Sequence, residues 1–118
     1  MAKRVNIFIN NDTVPIVGEL VLSQSAFLRY NINNEEFIIT ANVDSLTIRK
    51  KGETSYSLFL KKSVVGSLEI ALGNTKFSPT PVSLTEYNFS KDDNSIGIYA
   101  RYEIDQSNHS FSLLAVFD

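Results

Sequence analysis

Residues 44–60, DSLTIRKKGETSYSLFL, constrain the fold more than any other stretch, because two strands, their turn and their register can be read together. Leu46 and Ile48 alternate with Thr47 and Arg49, and beyond Gly52 the residues Tyr56, Leu58 and Leu60 alternate with Ser55, Ser57 and Phe59. That period of two is the mark of an antiparallel hairpin. A two-residue turn at Gly52 and Glu53 would put Leu58 opposite Thr47 and divide the apolar residues between both faces. A three-residue loop of Gly52, Glu53 and Thr54 sets Ile48 opposite Leu58 and Leu46 opposite Leu60, all on one buried face.

The same alternation runs through the rest of the chain. Val5, Ile7 and Ile9 form a first strand that ends at the Asn10, Asn11, Asp12 cluster. Val14 to Val17 carries Pro15, which places it at an edge or a strand start, and Gly18 suggests a bend before Leu20 and Leu22. Ala26, Leu28, Tyr30 and Ile32 point one way, Phe27, Arg29 and Asn31 the other. A polar turn at residues 33–36 precedes Phe37 to Ala41. Leu68, Ile70 and Leu72 alternate before Gly73 and Asn74, which tolerate a left-handed turn. Between Thr75 and Phe89 the apolar phase changes from Val82 and Leu84 to Tyr87 and Phe89, so a bulge is expected near Thr85 and Glu86. Ile96 to Ile104 is the cleanest period-two run, and Phe111, Leu113, Ala115 and Phe117 form the last strand.

No helical period persists anywhere. Nine or ten strands at spacings of roughly 8–12 residues give the pattern of a sandwich or a barrel. The short consecutive turns favour an antiparallel up-and-down β-barrel, since closure removes the edges that a meander would expose. At 118 residues, with 43% hydrophobic and 20% charged residues, the chain suits one globular domain over residues 1–118. No apolar run approaches the ~18 residues of a membrane-spanning helix. The start Met-Ala-Lys-Arg is basic, but Val5 to Ile9 runs into Asn10, Asn11 and Asp12, which is no signal-peptide core, so a cytoplasmic location is expected. Asn11, Asn88 and Asn108 fit the glycosylation tripeptide and are read as turn asparagines.

From Asp44 to Phe117 the succession DSLTIRKKG, SYSLFL, SLEIALG, a long strand, IGIYARYEI and HSFSLLAVF resembles the small bacterial proteins of the YwiB family. Arg49, Gly52 and Gly73 fall where that family places an arginine or a glycine. The resemblance covers about two thirds of the chain and implies a calycin-like, lipocalin-like β-barrel. The chain departs from the family at Lys61, Lys62 and Ser63, and at Leu68 and Ala100, where the family tends to aromatics. Its amino-terminal third is also shorter. The family supplies a fold and no catalytic residues.

The residues offer little chemistry. Cysteine is absent, which removes disulfides, thiol nucleophiles and thiolate metal sites. His109 is the only histidine and is expected in an exposed turn over Asp105 to Ser110, without the partners a metal site needs. Glu35 with Glu36 and Asp92 with Asp93 are neighbours in extended chain and point apart. Five scattered glycines make no phosphate loop. Neither an enzyme nor a cofactor is expected.

Two binding readings remain. The inward list Ile7, Leu28, Tyr30, Phe37, Ile48, Leu58, Ile70, Ile98, Tyr102, Leu113 and Phe117 is bulky and apolar, which favours a filled core over a cavity. Were a cavity present, Tyr30, Tyr102 and Tyr56 would give an apolar ligand its polar contacts. A carboxylate ligand would lack a cation, because Arg29, Arg49 and Arg101 share the outward phase. A protein partner could instead use the outward Phe27, Phe59 and Tyr99. The alternative is weak single-stranded nucleic-acid binding through the hairpin, with Arg49, Lys51 and Lys61 on phosphates and Phe59 under a base. The formal charge of −2 argues against a dedicated nucleic-acid binder.

Overall fold

The computed structural model describes residues 2–117; Met1, part of the basic start, and Asp118 lie outside the described residues. The strands are β1 (Lys3–Ile9), β2 (Ile16–Leu22), β3 (Ala26–Ile32), β4 (Glu35–Ala41), β5 (Ser45–Lys51), β6 (Thr54–Lys61), β7 (Val64–Leu72), β8 (Thr75–Lys76), β9 (Thr80–Lys91), β10 (Ser95–Ile104) and β11 (Ser107–Val116). From β1 to β7 each strand pairs antiparallel with the next. β8 is a two-residue tongue folded back on β7, and β9 takes the rest of that β7 edge, with Gly66 opposite Val82 and Leu68 opposite Thr80. β11 then pairs with β1. Leaving β8 aside, ten strands close into a ring. Among the described residues no helix is long and apolar enough to cross a membrane.

Turn chemistry fixes much of this register. Asn33 with Asn34 (φ 50° and 66°) and Asp105 with Gln106 (49° and 67°) are consecutive left-handed pairs that close two-residue hairpins, and Asn10 with Asn11 (49° and 64°) makes a like turn within the longer connection from β1 to β2. Such pairs make the turns whose twist matches that of the strands they join. The expected hairpin register holds, with Leu46 opposite Leu60 and Ile48 opposite Leu58. The bulge lies where the phase changes: Arg101 faces Glu86 and Tyr102 faces Leu84, leaving Thr85 over, and its Oγ1 donates to the Arg101 carbonyl at 3.0 Å.

Several expectations need correction. Gly18 does not bend the chain; it lies inside β2, where an added Cβ would come 2.6 Å from the Arg29 carbonyl oxygen and 2.7 Å from the Ile7 side chain. His109 is not in a turn, since the two-residue turn at Asp105 and Gln106 places it in β11 opposite Tyr102. Asn88 and Asn108 likewise lie in strands. The outward Phe27 and Phe59 sit on β3 and β6, roughly 14 Å apart at three strand spacings, and Tyr99 is on β10. They form no common patch.

The filled-core expectation holds for half of the barrel. At the end carrying the 42–44 turn and Phe117, the inner face is packed with Val5, Leu20, Ile39, Leu46, Leu60 and Ile96, all at 2% exposure or less. Tyr87 seals that end. Its hydroxyl lies 2.5 Å from the Asn42 carbonyl and 2.9 Å from that of Ser45, and it donates its one proton between them. The Asn42 side chain braces the same turn, accepting from the backbone N–H groups of Asp44 and Ser45 at 2.9 Å each. Tyr87→Phe should therefore cost about 1–2 kcal/mol in denaturant unfolding, because two half-buried carbonyls lose a donor. Indistinguishable unfolding curves would show that the seal is ornamental.

Candidate functional site

At the opposite end the inner face opens into a cavity of about 450 Å³. Alternation along each strand decides its lining, and the cross-strand register decides which residues meet. On one inner row Tyr30 of β3 faces Phe37 of β4, Phe37 faces Lys50 of β5, and Lys50 faces Tyr56 of β6. Tyr56 in turn faces Ile70 of β7. From the other wall β10 contributes Tyr102 and Ile104, and β11 contributes Phe111. Ile9, Ile32, Ile48, Leu58 and Leu68 complete the apolar surface, and no residue lining the cavity is charged.

Tyr30, Tyr56 and Tyr102, read from the sequence as a possible polar set, thus share one cavity. Tyr30 stacks on Phe37 with ring centroids 5.1 Å apart and planes 7° from parallel. No hydrogen bond among the described residues engages the three hydroxyls, and among those residues no buried side-chain polar atom is left without a partner, so each hydroxyl keeps some access to solvent. Tyr102 stacks on His109, its partner across the β10–β11 ladder, with ring centroids 5.5 Å apart. Ile70, expected to point inward, is 38% exposed, and Leu72 beyond it on β7 is 51% exposed.

Burial raises the Tyr30 hydroxyl well above its ordinary value of 10.0, with the neighbouring Tyr56 adding to it. Burial also raises Tyr102, again with Tyr56 as the second cause. Tyr56 is raised by burial, with Lys50 acting in the opposite direction and Glu35 in the same one. All three remain neutral near pH 7 and can both donate and accept. Because the folded chain holds these protons more tightly than the unfolded one, their contribution to stability is intact below pH 10 and is lost as pH rises beyond it. Denaturant midpoints should match at about pH 7 and about pH 9 and fall by about pH 11, and Tyr30→Phe should reduce that fall. An equal fall in the variant would remove Tyr30 from this linkage.

The sequence reading missed a charged pair at the rim. Lys50 shares the inward phase of Leu46 and Ile48, and its Nζ lies 2.9 Å from Glu35 Oε2 and 5.8 Å from the centre of the Tyr56 ring. Glu35, inside β4 rather than in a turn, covers Gly52, where an added Cβ would meet its Oε2 at 2.7 Å. The period-two phase alone could have found both. An inward cation therefore exists, contrary to expectation, but it is already paired.

The nucleic-acid set is spread along the outer wall. Arg49 and Lys51 border a second groove of about 440 Å³ together with Lys50, Tyr56 and Ile70 of the inner row and with Lys76 and Phe77, which the sequence did not bring to them. Lys51 lies 3.9 Å from Glu36. Lys61 stands four residues along β6 from the partner of Arg49, roughly 13 Å away, with Phe59 between the two rows.

No family model matches the chain, and no curated protein matches it. Among solved structures, the ywiB protein from Bacillus subtilis superposes with a TM-score of 0.71 over 99% of this chain and 90% of that one, at 12% identity. The chain has a YwiB-like fold. The YwiB likeness extends beyond residues 44–117 into the amino-terminal third, where the sequence carries no readable trace of it. At 12% identity the likeness to YwiB concerns the fold alone.

Proposed function

We propose that this protein is a non-enzymatic, calycin-like binding barrel that takes a small apolar molecule into its open end. One observation carries the reading: three tyrosines from three different strands line a single cavity whose remaining wall is apolar but for Asn10 and Thr54. Cavities of this size with a few convergent polar groups are the usual form of small-molecule sites. A barrel stabilised only by packing gains nothing from leaving hydroxyls unpaired at the edge of an empty space.

The test is titration with Nile red, a neutral apolar dye. Saturable binding of one dye per chain is expected, and Leu58→Trp, which fills the cavity from its floor, should abolish it while the barrel stays folded. Undiminished binding by that variant would remove the cavity as the site. A second reading, weak single-strand binding along the outer wall, is favoured by Lys76 and Phe77 joining Arg49 and Lys51. It requires an affinity for oligonucleotides that falls steeply with salt and depends on Arg49.

A further inference from the structure

We propose that the cavity selects uncharged apolar molecules bearing a hydroxyl or carbonyl, and that Glu35 sets this selectivity by holding the Lys50 ammonium at the rim. The proposal rests on the binding reading above and names the class of ligand. Three facts meet here. The cavity wall carries no charge, so an ion entering it would lose its hydration and find no free counter-ion. Lys50, the inward-phase cation beside the cavity, makes a 2.9 Å contact with Glu35, and its side chain is only 19% exposed; Lys3, which shares the phase of Val5 and Ile7, lies at the other end against the Phe117 ring. The tyrosine hydroxyls can donate to a ligand oxygen and accept from a ligand hydroxyl.

A carboxylate ligand reaching for Lys50 would have to displace Glu35. That exchange trades one carboxylate for another and leaves Glu35 without a partner, so it yields no net ion pair. An amine ligand competing for Glu35 would strand Lys50 in the same way. A neutral alcohol disturbs neither group. Its chain lies against Ile32, Ile48, Leu58 and Leu68, and its hydroxyl meets the tyrosines. Lys50 also lies close to the Tyr56 ring face, which further disfavours its withdrawal.

The experiment compares decanol, decanoate and decylamine as displacers of Nile red from the full chain near neutral pH. Decanol should bind at least about tenfold more tightly than either ion, the scale of an unpaired charge at a partly desolvated site. In Glu35→Gln, decanoate should gain about tenfold while decanol changes less than about threefold, because Lys50 is released. Adding Lys50→Gln to that variant should abolish the gain. Decanoate equal to or tighter than decanol on the unaltered chain overturns the proposal while leaving the cavity reading intact, and so does a Glu35→Gln protein with unchanged preference. Displacement by none of the three overturns both.

Discussion

Replacing Gly66 with alanine is expected to lower the thermal midpoint by roughly 10–20 °C, the equivalent of about 3 kcal/mol or more in a domain of this size. Gly66 stands where three strands meet. It sits beside the bulge at which the β6–β7 register slips between Phe59 and Lys61, and its other edge pairs with Val82 of β9. A Cβ there would overlap the Phe59 carbonyl oxygen and crowd the Phe59 carbonyl carbon at 3.2 Å, and that peptide cannot move without opening the sheet. The β6–β7–β9 seam is where the ring closes after β8 turns aside. Gly73→Ala gives the contrast: nothing lies within 4 Å of an added Cβ, so only the φ of +59° opposes it, at about 1 kcal/mol. Scanning calorimetry of both variants decides the matter, and a Gly66→Ala protein melting within a few degrees of the parent would show the seam to be slack.

Leu46→Ala and Ile70→Ala should differ as sharply. Leu46 is fully buried in the filled half, where truncation leaves a cavity the neighbours cannot close, at about 2–5 kcal/mol. Ile70 lines the open half at 38% exposure, where water already reaches its side chain, and its truncation should cost under about 1 kcal/mol. Urea unfolding of the pair reads the division of the barrel directly. Similar losses from both would mean that the open half is packed as tightly as the closed one.

Much of this was legible because one face of every strand is buried and the period of two then fixes register. The 52–54 loop was inferred from which pairing unites Leu46, Ile48, Leu58 and Leu60, and the Thr85 bulge from the change of phase ahead of Tyr87. The same logic marked Tyr30, Tyr56 and Tyr102 as inward. It could not tell a filled interior from an open one, since alternation states the face of a side chain and not its height in the barrel. Height depends on strand stagger, which brings Tyr87 to the 42–45 turn while Tyr102 stays near the rim.

Other misses have local causes. His109 was assigned to a turn because Asp105 to Ser110 is polar throughout, yet left-handed Asp105 and Gln106 complete the turn in two residues. Gly18 suggested a bend because strand interiors usually avoid glycine; here the Ile7 side chain occupies the space a Cβ would need. Lys50 and Glu35 were passed over because charged residues at turns are usually solvated. Their phase was the better guide.

The most direct test of a barrel filled at one end and receptive at the other is a methyl spectrum of isoleucine-labelled protein during titration with decanol. Ile9, Ile32, Ile48, Ile70 and Ile104 line the cavity, whereas Ile7, Ile39 and Ile96 are fully buried outside it. Saturable shifts confined to the first group are expected. Shifts spread evenly over both groups, or no saturable shift at any concentration decanol can reach in water, would contradict the claim.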